Sequence, residues 1–147
     1  MQDVEVEKLF SKGLEALGHG ETLPALSFFE KALKIEDSPS IWSYFAFCIA
    51  KERGQISKAI ILCQEAIKKE PNNSAHYLNL GRIFLFTNNK EDAIRVFREG
   101  LNYEANQEII DELNRLVIRK PPVIPFLKRD NPINKYLGLI LKLLKLR

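Results

Sequence analysis

The side chains able to do chemistry are few. Cys48 and Cys63 are the only thiols, His19 and His76 the only imidazoles. Two thiols and two imidazoles are enough in principle for a zinc site or a nucleophile with its base. Zinc ligands, however, stand at short, fixed spacings. No Cys pair and no Cys–His cluster here has such a spacing, and the histidines are 57 residues apart with no His-Glu-x-x-His pattern between them. Both cysteines fall on apolar helical faces, where a thiol behaves as a small hydrophobe. His19 falls in a turn, and His76 precedes Tyr77 at a helix start. Asp111 and Glu112 are adjacent, so on a helix they project to different sides and form no acid–base pair. No glycine-rich phosphate loop is present, since Gly13, Gly20, Gly54 and Gly81 each have a packing or turn role. The expectation is therefore no enzyme, no catalytic residue, no metal and no cofactor.

Charge divides the chain more sharply than its net +3 suggests. From Arg119 onward eight basic residues face one acid, Asp130, so the tail carries about +7 and the body before it about −4. The basic tail has its lysines beside leucines and no recognised reading motif, so nucleic acid is not the expected partner. The first twelve residues have no basic region followed by an apolar run, hence no expected signal peptide. No stretch reaches the ~18–20 apolar residues that span a bilayer. Two cysteines make no disulfide framework. Together these point to the cytoplasm.

The elements that position these residues repeat. Ala25, Ala59 and Ala93 are 34 residues apart, and Phe29, Cys63 and Phe97 follow each by four. Ala32, Ala66 and Gly100 come three later, then Leu33, Ile67 and Leu101. Small, large, small at these intervals make one helical stripe that lets a neighbouring helix approach and fills the space between. Upstream, Tyr77, Leu80, Gly81, Phe84 and Trp42, Phe45, Ala46, Ile49 share a second helical spacing, with Phe10, Gly13, Leu14, Leu17 in the first unit. Breakers join the helices: Gly20-Glu21, Gly54 and Asn88-Asn89, with Pro39 and Pro71 between units. Trp42 to Ala59 is one residue longer than Tyr77 to Ala93, and the surplus residue is placed near Lys51–Gly54.

These columns resemble the tetratricopeptide repeat, a 34-residue helical hairpin. The third unit matches best, through Tyr77, Leu80, Gly81, Phe84, Ala93 and Phe97, with Gly100 and Ala105 at the positions of the family's second Ala and its Pro. The resemblance implies an all-α, right-handed solenoid of hairpins. Repeats are expected at about 4–38, 39–72 and 73–106, closed by a capping helix at 106–118 whose inner face is Ile109, Ile110, Leu113, Leu116 and Val117. Residues 1–118 form this domain. In this family the first helix of each hairpin lines a concave groove that holds a polypeptide. Carried over by position, the groove residues are Phe10 and Leu14, then Ser43, Phe47, Ala50 and Lys51, then Leu78, Asn79, Arg82, Leu85 and Phe86. Leu78, Leu85 and Phe86 are apolar residues with no core duty assigned, while Asn79 and Arg82 suit a peptide backbone or carboxylate. Ser11 and Tyr44 stand where the family's carboxylate clamp needs Lys or Asn, so that clamp is not expected. The resemblance thus implies a protein-binding adaptor, with a secretion chaperone as one variant.

The tail adds a second expectation. Pro121, Pro122 and Pro125 hold segment 119–130 extended, yet Val123, Ile124, Phe126 and Leu127 make it apolar. Asp130-Asn131-Pro132 then starts a helix over 131–147. Its lysines fall within ~100°, and its apolar residues, among them Tyr136, Leu137, Ile140 and Leu144, cover ~220°, about twice what one neighbour needs. The tail is expected to pack on the groove or on a second surface: another copy forming a homodimer, a partner, or a membrane.

Overall fold

A computed structural model of the chain describes residues 2–118. Segments 119–130 and 131–147, with Val123, Ile124, Phe126, Leu127, Tyr136, Leu137, Ile140 and Leu144, lie outside the described residues. So do the self-association and membrane contacts expected of them.

The described residues form seven helices and no strand: α1 (Gln2–Gly18), α2 (Thr22–Ile35), α3 (Pro39–Arg53), α4 (Ile56–Lys69), α5 (Ser74–Phe86), α6 (Lys90–Tyr103) and α7 (Gln107–Ile118). They pack as three hairpins, α1–α2, α3–α4 and α5–α6, stacked in order, with α7 against α6. This is the superhelix of helical hairpins that the columns imply.

Each hairpin turns on one left-handed residue, and the three recur at the repeat period: Gly20 (φ 75°), Gly54 (φ 66°) and Asn88 (φ 62°). That conformation costs a side-chain-bearing residue about 1–2 kcal/mol, and Gly avoids the cost. The next residue closes the turn through its backbone N–H. Glu21 donates to the Ala16 carbonyl at 2.8 Å and Asn89 to Phe84 at 2.8 Å, each across five residues. Gln55 donates to Ile49 at 3.3 Å, across six. The surplus residue of the second unit therefore sits in the last turn of α3. Replacing Gly54 by Ala is expected to lower the unfolding free energy by about 1–2 kcal/mol, read as a shift of the urea midpoint.

The repeat columns are the core. Ala25, Ala59, Ala93, Phe29, Cys63 and Phe97 are all fully buried. Helix approach is set by what each Phe meets. A Cβ on Gly13 would run into the Phe29 ring, and one on Gly81 into the Phe97 ring. In the second hairpin Ala46 takes the glycine's place and the facing column holds Cys63, both fully buried. A larger residue on one helix is matched by a smaller one on the other, as a close-packed interior requires. Gly100 follows the same logic from α6, since a Cβ there would lie 2.7 Å from Tyr77 Cβ.

A polar column also repeats. Glu36, Glu70 and Glu104 cap the C-termini of α2, α4 and α6 at the 34-residue period. Two of them tie a hairpin's end to its beginning. Ser40 Oγ donates to Glu70 at 2.8 Å. Ser74 donates to Glu104 through Oγ at 2.7 Å and through its backbone N–H at 3.0 Å. These donors hold the Glu104 carboxyl below the ordinary carboxylate range.

Helix α7 starts where Asn106 Oδ1 accepts from the Ile109 N–H at 3.2 Å. Ile109, Leu113 and Leu116 are buried and share a cluster with Leu78 and Phe97. The Glu112 side chain is only 12% exposed. Arg82 Nε reaches it at 2.7 Å and Arg115 at 2.9 Å, so two guanidinium groups draw it down onto the stack.

Candidate functional site

The first helices of successive hairpins, together with α7, enclose a concavity of about 550 Å³. Leu14 of α1, Tyr44, Phe47 and Lys51 of α3, Arg82 of α5 and Glu108 of α7 line it. Its Tyr44 wall is backed by two further aromatic rings. Phe10 meets Tyr44 edge-on with ring centroids 5.5 Å apart, and Phe29 stands 6.0 Å from Phe10 and 5.9 Å from Tyr44. Such contacts fix ring positions beyond what burial alone does. The repeat explains this backing: Phe29 is a core-column residue, so the rings against it rest on the rigid part of the fold.

The rim is charged. Lys51 Nζ lies 5.9 Å from the Phe47 ring centroid. Opposite, Arg82 Nη2 meets Glu108 at 3.4 Å. Between them, burial raises the Tyr44 hydroxyl's pKa above its ordinary value, and Glu108 adds to this while Arg82 opposes it. The phenol therefore stays protonated as a donor at neutral pH. The concavity offers apolar and aromatic walls, a hydroxyl, the Lys51 ammonium and the Arg82–Glu108 ion pair. It offers no reactive constellation.

The residues expected in the groove divide. Leu14, Phe47, Lys51 and Arg82 line the concavity, and Phe10 supports it from below. Arg82 is not free for a ligand's carboxylate, because Glu112 and Glu108 already hold its guanidinium. Leu78 is buried, not surplus, because α7 covers it. Leu85 packs at the edge of the same cluster, Phe86 is exposed at the end of α5, and Ala50 is buried. Ser43 and Asn79 are fully buried between α3 and α5 and reach no ligand. Tyr44, Leu17 and Glu108 are groove residues that sequence reasoning did not select. The aromatic character of Tyr44 on a first helix was the available signal.

Ser43 and Asn79 belong to a polar chain that crosses the seam between the second and third hairpins. Asn79 Nδ2 donates to Ser43 Oγ at 3.0 Å, Ser43 Oγ meets His76 Nδ1 at 2.7 Å, and His76 Nε2 meets Glu70 Oε1 at 2.8 Å. Glu70 also accepts from Ser40 at 2.8 Å and Asn73 at 3.2 Å. Only one proton arrangement satisfies every group: neutral His76 donates from Nε2 to the carboxylate and accepts the Ser43 hydroxyl at Nδ1. The order serine, imidazole, carboxylate is that of a hydrolytic triad. Ser43 and His76 have no exposed surface, so no substrate meets the hydroxyl. The chain is a seam contact, and His76, in the first turn of α5, is an interior residue.

The seam predicts a pH dependence. Burial lowers the His76 pKa, outweighing the opposite pull of Glu70. Burial pushes the Glu70 carboxyl upward, but the hydrogen bonds from His76, Ser40 and Asn73 win and hold it below its ordinary value. For both groups the unfolded chain binds the proton more readily. Stability is therefore full above the ordinary imidazole value of 6.5, and falls as pH drops through it and then through 4.5. Urea midpoints at pH 7.5 and 5.5 should differ for the wild-type protein, and His76→Gln should flatten that difference.

The cysteines are inert. Burial pushes the Cys48 thiol up to about 12, with smaller effects from Glu52 and Lys51, and raises Cys63 as well. Among the described residues no three His, Cys, Asp or Glu side chains converge on a metal position.

Comparison with known proteins follows the same line. The family model of the tetratricopeptide repeat matches residues 50–113. Among solved structures, the TPR domain of Sgt2 from Aspergillus fumigatus is similar at 24% identity and TM-score 0.57, covering 76% of this chain and 82% of that one. A Bacteroides ovatus protein is similar at 17% identity and TM-score 0.52, covering 97% of this chain and 89% of that one. At these identities the two structures speak for the fold. With the family match over residues 50–113 and the buried repeat columns, they lead to one statement: the described residues form a tetratricopeptide-repeat-like superhelix of helical hairpins, and domains of that repeat generally bind protein or peptide partners.

Proposed function

We propose that the protein is an adaptor that holds an extended stretch of another polypeptide in the concavity formed by α1, α3, α5 and α7. The observation that carries this reading is the aromatic and aliphatic wall of Leu14, Tyr44 and Phe47, kept accessible on a rigid backing and bracketed by Lys51 and Glu108. Apolar side chains of the ligand lie on this wall. The Tyr44 hydroxyl, with no hydrogen-bond partner among the described residues, is placed to donate to a ligand carbonyl. Lys51 favours an acidic ligand group at one end, and Glu108 a basic group at the other.

A second cleft, of about 180 Å³ between α4, α5 and α6, is lined by Gln64, Ile67, Tyr77, Arg95 and Glu99. It is smaller and lies off the first-helix surface, so the concavity is the better polypeptide site. Selection of binders from a random peptide display library on the full chain tests the reading. Peptides that compete with one another and bind Phe47→Ala more weakly support it. Binders indifferent to Phe47 and Lys51 refute it.

A further inference from the structure

We infer that the groove's resident ligand is the chain's own segment 119–130, so that an outside partner binds by displacing it. This rests on reading the concavity as a polypeptide site, and it names what regulates that site. Three observations favour this occupant over others.

The first is position. The groove meets α1 and α3 toward their C-terminal ends, at Leu17 and Lys51, and α7 in its first turn, at Glu108. The hairpins stack in one orientation, so α7, which follows α6 as a further first helix, runs the same way. The chain leaves α7 after Ile118, ten residues beyond Glu108, where α7 meets the groove. The second is reach. Packed helices lie about 8–10 Å apart, which puts α3 roughly 20 Å from α7 when α5 stands between them. The eight residues from Ile118 to Phe126 extend up to ~26 Å. Phe126 can thus arrive over Phe47, while the groove near Leu14 stays within range of Leu127 and Lys128.

The third is chemistry. The segment offers Val123, Ile124, Phe126 and Leu127 to a wall of Leu14, Tyr44 and Phe47. Proline at positions 121, 122 and 125 fixes φ at each, which reduces the ordering cost of docking. Basic residues flank it on both sides (Arg119-Lys120 and Lys128-Arg129) and belong to a tail of about +7 attached to a body of about −4. Within the groove Glu108 already meets Arg82 at 3.4 Å and Lys51 is a further cation, so the apolar residues of the segment, not its flanking charges, make the contact there. A tethered segment acts at an effective concentration on the order of 1 mM. An outside peptide of ordinary affinity competes poorly against that, so removing the segment's anchors should tighten outside binding about tenfold or more.

Hydroxyl-radical footprinting of the full chain tests this directly. Tyr44 and Phe47 report on the groove, and Tyr103, 53% exposed at the end of α6, is the control. In a full-length Val123→Asp/Phe126→Asp variant, labelling of Tyr44 and Phe47 should rise severalfold while Tyr103 stays constant. Excess synthetic peptide of residues 119–130 should then return it to the wild-type level. Equal labelling of the two proteins overturns the inference. In that case added peptide separates the two claims: protection of Tyr44 and Phe47 leaves the groove standing as a polypeptide site, and no protection removes both. Cross-links from a photoreactive residue at Phe126 should stay within one chain in a mixture of heavy- and light-isotope protein. Links between chains overturn the intramolecular form and assign the face to self-association.

Discussion

Phe97→Ala is expected to destabilise the protein by about 3–5 kcal/mol, the range for truncating a buried aromatic, and Gly81→Ala by about 1–3 kcal/mol through overpacking. The two effects share one contact. Phe97 is fully buried, belongs to the cluster that α7 closes, and presses its ring against the Gly81 backbone. Removing the ring leaves a cavity between α5 and α6 and loosens Leu78 and Ile109 beside it. Adding a methyl at Gly81 drives Cβ into the same ring. If the account of the hairpin contact is right, the two changes are not additive. Gly81→Ala should cost little in a Phe97→Leu background, because the smaller side chain yields the space. The second hairpin already contains that solution as Ala46 with Cys63. Urea denaturation of the four proteins of this cycle reads the coupling, and strict additivity would contradict the proposed contact.

Phe47→Ala is expected to weaken a groove ligand by roughly 30-fold, the factor equivalent to about 2 kcal/mol at an aromatic hot spot. Phe47 is half-buried, so part of its loss will appear as stability, and the urea midpoint must be recorded beside the affinity. Lys51→Glu separates the two. Lys51 is exposed, and a surface substitution of this kind changes stability by no more than about 0.5 kcal/mol. It reverses the charge at one end of the groove, so it should weaken acidic ligands and strengthen basic ones. A Lys51→Glu protein that binds every selected peptide as wild type would remove the charged rim from the account.

How much of this was legible in the sequence follows from the range over which each interaction acts. The columns Ala25, Ala59, Ala93 and Phe29, Cys63, Phe97 were readable because period and residue type both come from one local rule, the packing of a hairpin on itself. The turns were readable because a left-handed residue is required at Gly20, Gly54 and Asn88. The surplus residue of the second unit could be placed near Lys51–Gly54 because the columns on either side of it kept their spacing. Contacts between hairpins were harder. Leu78 looked like unused apolar surface, since nothing in its own hairpin covers it. Its cover, Ile109 and Leu113, lies on a helix whose crossing over α5 no local pattern specifies. Asn79 and Arg82 looked free for the same reason. Their partners are Ser43, Glu108 and Glu112, each 26 or more residues away.

One such signal was present and unused. Glu36, Glu70 and Glu104 repeat at 34 residues as visibly as the alanines do, and the partners Ser40 and Ser74 repeat with them. A polar column in a helical repeat is easily taken for solvated surface. Here it marks the closure of the second and third hairpins, and in the second it leads on to His76. The groove itself was readable in part. Leu14, Phe47 and Lys51 could be carried over by position, whereas Tyr44, an aromatic on a first helix, is placed by its ring contacts with Phe10 and Phe29.

The adaptor reading stands most directly on where a bound peptide lies. Amide and side-chain chemical-shift mapping of the full chain, titrated with a peptide selected on it, measures this. The account predicts that the largest changes fall on Leu14, Tyr44, Phe47 and Lys51, with Leu23 and Ile61, both exposed and outside the groove, unmoved. Changes centred on Leu23 and Ile61, with the groove residues silent, would contradict it.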